Sequence, residues 1–361
     1  MADYTRRATH RARPAAAAPS RMRNILRIVF AGTPAAAVPS LRALIDAHIA
    51  GEHELAAVIT RPDARVGRGR TLQASAVAEV AEEAGLTVIK AAGAKDPAFA
   101  DTLREIAPEA GAVVAYGAIL PQPVLDIPRH GWVNLHFSLL PAWRGAAPVA
   151  AAIRHGDQLT GASTFALEAG LDTGPVYGVV TEPIGPRDTT GEVLGRLAIS
   201  GAELLRATLD GIEAGRLRPT PQPTDGVSVF GKITVDQARV DWTQPAVGVD
   251  RLIRSVTPEP GAWTESRWGK LGLGPVEPFD GDRLEPGELL VGKREVLVGT
   301  GTAVVRLGTV TAPGKRPIPA ADWARGARPE PGERFGHAEP TVTDPATAIA
   351  DVSPATDRGE S

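Results

Sequence analysis

The residues best suited to chemistry lie in the stretch Asn134-Leu135-His136-Phe137-Ser138-Leu139-Leu140-Pro141. Its polar–apolar alternation reads as a strand, on which residues two apart share a face. Asn134, His136 and Ser138 then point one way, and Leu135 and Phe137 the other. Polar side chains line up where a core is expected. Such a row costs free energy unless each member is paired, so it is either a satisfied structural network or an active site at the end of a strand. A position at the carboxyl end of a strand in an open α/β sheet favours the site, because such sheets bind ligands there. Phe137, on the opposite face, is expected to be a core ring.

A carboxylate follows in Gly170-Leu171-Asp172-Thr173-Gly174. By itself this is an ordinary aspartate in a glycine-flanked turn. Taken with the strand, it completes a set of amide donor, imidazole and carboxylate, in a chain with no cysteine and no metal-ligand cluster. That set suits transfer of an acyl group to an amine by direct attack. Asn134 and His136 can donate hydrogen bonds to the oxyanion of the tetrahedral intermediate. Asp172 can orient His136 and help accept the proton that the amine loses.

Two further segments have chemical possibilities. The loop Arg61-Pro62-Asp63-Ala64-Arg65-Val66-Gly67-Arg68-Gly69-Arg70 carries four arginines over ten positions. It reads either as a solvated surface loop or as a basic finger, with Arg65, Arg68 and Arg70 placed to meet a phosphate backbone. The Phe30-Ala31-Gly32-Thr33-Pro34 turn lacks the full Gly-x-Gly-x-x-Gly of a dinucleotide site, so no nicotinamide cofactor is expected.

These residues must be positioned by a framework, and the chain has the length for two domains: 361 residues, 43 % of them apolar. Without cysteine, disulfides, thiolate nucleophiles and Cys-based metal sites are excluded. No apolar run reaches the roughly 18 residues of a membrane span. A soluble cytoplasmic protein is the expectation. From Leu26, strand-like runs alternate with helix-like segments: Ile28 to Phe30, helix 35–47, Leu55 to Thr60, helix 75–84, Val88-Ile89, helix 97–106, Val113 to Tyr116 and Trp132 to Phe137. That alternation predicts a Rossmann-like α/β domain with a parallel-rich sheet over residues 25–216. Runs at Ser163 to Leu167 and Val176 to Val180, then a long amphipathic helix from about Thr190 to Ala214, close it.

Residues 217–230 hold alternate prolines and predict an extended, stiff linker. Beyond it, one short helix near Val247 to Ser255 and several glycine-punctuated strands predict a small β-barrel over 231–326. Residues 327–361 turn to Pro, Ala, Thr and acids, with three arginines against seven acidic residues, and are expected to be disordered. Residues 1–24 are Arg/Ala/Pro-rich and are likewise read as a disordered tail. That start also has the composition of an organelle transit peptide, and a third reading is that translation begins at Met22. A native mass that includes residues 1–21 would end the third. The net charge of −3 argues against a protein that coats nucleic acid non-specifically, while leaving room for a local basic face.

The strand motif, followed by Trp143-Arg144-Gly145-Ala146-Ala147-Pro148 and Leu171-Asp172-Thr173-Gly174, resembles the folate-dependent formyltransferases. In that family the matching Asn, His and Asp form the catalytic set. The segment Arg144 to Pro148, the Phe30 to Pro34 opening and Val113-Val114-Ala115-Tyr116-Gly117-Ala118-Ile119-Leu120-Pro121 resemble the branch acting on methionyl-tRNA. So do Gly231-Lys232-Ile233, Asp241-Trp242, Pro260-Gly261-Ala262-Trp263 and Gly314-Lys315-Arg316-Pro317. The likeness runs from about Leu26 to Arg325. It implies a Rossmann-like catalytic domain joined to an OB-like barrel that helps hold tRNA, and 10-formyltetrahydrofolate as formyl donor. Folate contacts are implied at Gly117, Ala118, Ile119, Leu120 and Pro121, and at Ser138, Leu139, Leu140 and Pro141 beside Asp172. tRNA contacts are implied at Arg65, Arg68, Arg70, Lys232, Lys315 and Arg316. Arg68 matches the family's loop arginine more closely than Arg65, because the sequence departs from the usual loop pattern at Ala64-Arg65-Val66. No metal, membrane or obligate protein partner is implied.

Other functions share parts of this pattern. A folate formyltransferase acting on a small amine, such as glycinamide ribonucleotide or an amino sugar, needs the same three polar residues but not the basic loop or the second domain. A non-catalytic RNA-binding protein on the same scaffold has no use for all three. A purely structural polar strand would leave Asn134→Ala and His136→Ala variants active but less stable.

Overall fold

The computed structural model describes residues 25–66 and 71–336. Both tails, and Arg68 and Arg70 of the basic loop, lie outside the described residues.

The first half is built on strands β1 (Leu26–Gly32), β2 (His53–Thr60), β3 (Ala64–Val66), β4 (Thr71–Gln73), β5 (Val88–Lys90), β6 (Ala110–Val114), β7 (Trp132–His136), β8 (Arg144–Gly145), β9 (Leu159–Ala166) and β10 (Val176–Pro183). Its helices are α1 (Val38–Ile49), α2 (Ala76–Glu83), α3 (Pro97–Ile106), α4 (Gln122–Leu125), α5 (Pro148–His155) and α6 (Thr190–Glu213). Seven of the strands form one sheet in the order β10-β9-β7-β6-β1-β2-β5. The pairs from β7 through β5 are parallel, and β9 and β10 are added antiparallel. Central β1 is apolar and buried except at Arg27 near its start, as befits a strand covered on both faces. The order reverses between β1 and β6, which opens a crevice at the carboxyl ends of β1, β6 and β7.

Two apolar cores cover the two faces of the sheet. One gathers Leu41, Leu44, Leu135, Phe137, Val149, Leu197 and Leu205; the other gathers Phe99, Leu103, Tyr116, Val124 and Trp132. Phe137 and Leu135 thus fall on the core side, as the alternation predicts. Helix α6 starts with a capping box between Thr189 and Glu192, and buries Val193, Leu197, Gly201, Leu205 and Leu209 at four-residue intervals. Gly201 lets the helix lie against β7, since a Cβ there would sit 2.9 Å from Leu135.

The structure departs from the sequence expectation in several places. The strand expected at Val113 to Tyr116 is β6, which starts three residues earlier and ends two residues earlier, because Ala115 turns the chain at φ +47° and carries Tyr116 into a loop. Part of the basic loop is the β3–β4 hairpin. Helices α4 and α5 were missing from the sequence reading, and both are short with proline in the first turn.

Residues 217–228 contain no regular element, but they do not span open solvent: Thr220 pairs with Val176, and β11 (Val229–Phe230) pairs in parallel with β8. The second half is β-rich. It carries α7 (Ala246–Ser255), β12 (Ala262–Thr264), β13 (Leu271–Leu273), β14 (Val276–Phe279), β15 (Leu289–Val291), β16 (Val296–Gly299), β17 (Val304–Leu307), β18 (Thr309–Thr311), β19 (Ile318–Pro319) and α8 (Ala320–Ala327). Two four-stranded antiparallel sheets, β12-β13-β18-β19 and β14-β17-β16-β15, share a core with Trp242, Ile253, Val298, Trp323 and Phe335. The ordered chain continues past the expected end near residue 326. Phe335 is buried, and its N–H donates to Gly287 O at 2.9 Å. Polar contacts join the halves: Arg254 donates to Asp188 O at 3.0 Å and Thr190 to Ser255 O at 2.7 Å.

Candidate active site

Strand β7 delivers Asn134 and His136 to the crevice, between β6 (Val113 opposite Asn134) and β9 (Ser163 opposite His136). They stand roughly 7 Å apart on one face, as residues two apart on a strand do. The strand ends in a tight turn that the next residues hold. Ser138 is fully buried, and its hydroxyl donates to Ala142 O at 2.6 Å. Ser163 donates to Ser138 O at 2.7 Å and accepts from the Leu140 N–H at 3.2 Å. The Ser138 side chain therefore builds the turn.

The turn returns Trp143 beside His136. Trp143 has φ +55°, an unfavourable value for a bulky residue, and it is held from three sides. Its indole N–H donates to Asp157 at 2.7 Å, its ring lies against His155 at 4.6 Å, and its backbone N–H donates to the Ser228 hydroxyl at 2.9 Å. Its carbonyl sits 2.8 Å from His136 Nε2. A carbonyl only accepts, so Nε2 carries the proton, and in the neutral ring Nδ1 is a bare lone pair. Nδ1 faces Asp172 Oδ2 at 3.7 Å, beyond hydrogen-bonding distance. Burial lowers the His136 pKa from its ordinary value, although the Asp172 charge and the Trp143 carbonyl oppose that shift. The ring is therefore neutral at pH 7, with an unprotonated nitrogen turned towards a carboxylate.

Asp172 is itself in the left-handed region, with φ +51°. Its Oδ2 accepts the Gly145 N–H at 2.7 Å, and its backbone carbonyl accepts from Gln222 Nε2 at 2.8 Å. Gly145 has φ +108°, and a Cβ there would lie 2.5 Å from Phe230 O, so only glycine fits between the two pairing strands. Five non-glycine residues among those described have positive φ. Two of them, Ala107 and Arg328, are helix C-caps. The other three, Ala115, Trp143 and Asp172, line this crevice, and strain concentrated in this way marks a functional site.

The other side of the crevice is the loop after β6. Gly117 is exposed at φ +81° with nothing within 4 Å of a would-be Cβ. Thr33, after β1, donates to Tyr116 O at 2.9 Å and ties the ends of β1 and β6 together. Ile119 is 79 % exposed, an unusual fate for so large an apolar side chain, whereas Leu120 is buried. Backbone groups and apolar surface are therefore open to a flat, partly polar molecule. Leu140 is buried, and Leu139 and Pro141 are half-buried. Among the described residues, no group of three His, Cys, Asp or Glu side chains is arranged to hold a metal.

Of the residues expected to meet tRNA, Lys232, Lys315 and Arg316 are exposed in the second half, and Arg65 is exposed on β3. The structure thus brings Asn134, His136 and Asp172 together and leaves the basic residues on the surface. Sequence reasoning missed Gln222, Ser228, the Gly145 N–H and the Trp143 carbonyl. Two of these are backbone groups without a sequence signal, and the two side chains lie in the proline-rich stretch read as a linker.

Two family models match the chain: Formyl transferase over residues 26–209, and Formyl transferase, C-terminal domain, over residues 232–328. A methionyl-tRNA formyltransferase of Thermobifida fusca is 64 % identical over 312 residues, covering 86 % of this chain and 99 % of that protein. One of Streptomyces coelicolor is 60 % identical over 312 residues, covering 86 % and 100 %. Among solved structures, HypX from Aquifex aeolicus in complex with tetrahydrofolic acid aligns at TM-score 0.59 and 19 % identity, over 83 % of this chain and 47 % of HypX. This chain thus spans about half the length of HypX. An N-formyltransferase from Helicobacter canadensis aligns at TM-score 0.58 and 17 % identity, over 81 % of this chain and all of that one. At those identities the two structures bear on the fold, whereas the matches at 64 % and 60 % identity go further: this chain belongs to the methionyl-tRNA formyltransferase family.

Proposed function

We infer that this enzyme transfers the formyl group of 10-formyltetrahydrofolate to the free amino group of methionyl-initiator-tRNA, giving N-formylmethionyl-tRNA for translation initiation. The observation that carries the chemistry is the neutral, Nε2-protonated His136 facing Asp172, on the same strand face as Asn134. The amine attacks the formyl carbon, and the carbonyl electrons move onto oxygen. Asn134 stabilises that oxyanion through its amide N–H. The proton lost by the amine goes to the bare Nδ1 of His136, and the Asp172 carboxylate stabilises the imidazolium that results. The same proton then passes to the departing folate nitrogen as the carbon–nitrogen bond breaks, which restores neutral His136. No covalent enzyme intermediate is needed, in keeping with a chain that holds no cysteine.

The folate donor is read as lying against the loop Gly117 to Pro121, where Gly117 and Ile119 are exposed, and against the backbone of the turn at Ser138 to Pro141, beside Asp172. We read the two sheets of the second half as an OB-like barrel, with the catalytic domain at 25–216, a linker at 217–230 and the barrel from 231. Lys232, Lys315 and Arg316 on the barrel, with Arg65, Arg68 and Arg70 of the basic loop, supply positive charge for the tRNA backbone. Cytoplasmic localisation follows from that role, and no described helix is long and apolar enough to cross a membrane.

The test is a formylation assay with 10-formyltetrahydrofolate and three acceptors in parallel: initiator tRNA charged with methionine, uncharged tRNA, and glycinamide ribonucleotide. Transfer to the charged tRNA alone is expected. Transfer to the small amine instead would move the enzyme to another branch of folate chemistry.

A further inference from the structure

We propose that Gln222 is a positioning residue for formyl transfer: its side-chain amide sets the turn that carries Asp172 and ties that turn to the segment entering the second half. The proposal rests on the functional reading above and adds a residue to it. Gln222 uses both ends of its amide. Nε2 donates to Asp172 O and to Gly174 O, each at 2.8 Å, so both of its protons are committed to the turn. Oε1 accepts from Arg144 Nη2 at 2.7 Å and Nε at 3.2 Å. The flipped amide would set its NH2 against guanidinium donors and its oxygen against two carbonyls, so the partners fix its orientation.

The flanking residues point the same way. Pro221 and Pro223 restrict the backbone on either side of Gln222, so the amide is presented by a stiff segment. A few residues on, Ser228 and Phe230 bind the strip that supports the other catalytic groups. Ser228 Oγ accepts from Trp143 N at 2.9 Å, Ser228 O from Arg144 N at 2.9 Å, and Phe230 O from Ala146 N at 3.1 Å. That strip supplies the carbonyl that fixes the His136 tautomer and the N–H that holds Asp172. One stretch of chain, 222–230, therefore holds both members of the His136–Asp172 pair at their separation, and it leads directly into the half with Lys232.

The discriminating variants are Gln222→Ala and Gln222→Glu, made in the full chain and again in an Asp172→Asn background. Gln222→Glu keeps the contact with Arg144 but replaces the two donated protons with an oxygen facing two carbonyls. Both single variants are expected to lose about tenfold to a hundredfold in kcat, the cost of a displacement near 1 Å at a reacting group. KM for the charged tRNA should stay within about twofold of wild type on the same argument, because no tRNA contact is altered. In the Asp172→Asn background the Gln222 substitutions should cost almost nothing more, since a residue acting through Asp172 has nothing left to position. Losses that multiply in the double variants, or wild-type kcat in Gln222→Glu, would overturn the proposal and make Gln222 a structural tether. The imidazole nitrogen shifts of His136 by NMR give a readout independent of turnover. They should move in Gln222→Glu, and an unchanged spectrum would count against positioning even for a chain that proved to use a different acceptor. If Gln222→Ala fails to melt cooperatively, Gln222→Glu carries the test.

Discussion

Replacing Asp172 with asparagine removes one charge and little else. The Gly145 N–H keeps an acceptor of the same reach at 2.7 Å, and the backbone contact to Gln222 does not involve the side chain. What disappears is the attraction between the carboxylate and the imidazolium formed when His136 takes the proton. Two unit charges at the observed 3.7 Å attract by about 4 kcal/mol at an effective dielectric near 20. The pair is largely sheltered, with side-chain exposures of 7 % and 13 %. Since about 1.4 kcal/mol is a factor of ten in rate, the expected loss in kcat is roughly a hundredfold to a thousandfold. Folate binding and melting temperature should be nearly unchanged, because the ground state keeps its shape and His136 is neutral in it. The assay is initial-rate formylation of methionyl-tRNA across a range of both substrates, with folate affinity measured separately by titration. A variant within about threefold of wild-type kcat would show that the carboxylate takes no part in the proton transfer, and the mechanism above would fall.

Other consequences can be measured alongside. His136 must be unprotonated to act, and its pKa in the folded state lies below the ordinary value, so kcat/KM should fall on the acid side with a midpoint below about 6.5. A midpoint above that value would contradict a buried neutral ring. The same shift makes His136 a source of acid sensitivity: the unfolded chain binds its proton first as pH drops, so its contribution to stability is intact above about 6.5 and is lost as pH falls through the folded pKa. Gly145→Ala would force a Cβ to 2.5 Å from Phe230 O at φ +108°, with an expected cost of about 2–4 kcal/mol and a lower melting temperature; an unaltered melting curve would mean that β8 and β11 separate freely. Phe137→Ala removes a ring from the core face of β7 and should destabilise by about 3–5 kcal/mol while sparing the kcat of folded enzyme; a selective rate loss at full stability would show that the ring has a role in the reaction. Exchanging Lys315 and Arg316 for alanine should raise KM for tRNA and flatten its salt dependence without affecting folate; an unchanged salt slope would remove them from the tRNA surface.

The parts of the fold legible in the sequence are those written in side-chain periodicity. Alternation of apolar and polar residues fixed the two faces of β7, and amphipathic spacing located α6. Helix α3 also lies at 97–106, as expected. Elements as short as β13, β14, β18 and β19 have two to four residues each and carry too little pattern to be placed one by one from sequence. The burial of Phe335 has no local signal for a related reason. Phe335 stands alone among polar residues, and nothing local reveals that it completes the core around Trp242 and Trp323.

The site divides in the same way. The sequence by itself named Asn134, His136 and Asp172, because the first two share a strand face and the third is a carboxylate in a glycine-flanked turn. It also supplied the proline-rich run 217–227 without its purpose. Only the tertiary structure decided which nitrogen of His136 carries the proton, since that depends on the carbonyl of Trp143, seven residues away, held in a left-handed conformation by His155 and Asp157 from one segment and Ser228 from another. Only the tertiary structure gave Asp172 its backbone donor from Gly145 and its brace from Gln222, fifty residues downstream. Backbone N–H and C=O groups are the same at every position of a sequence, so what they bind is set by where the chain places them, and that is known once the strands have paired.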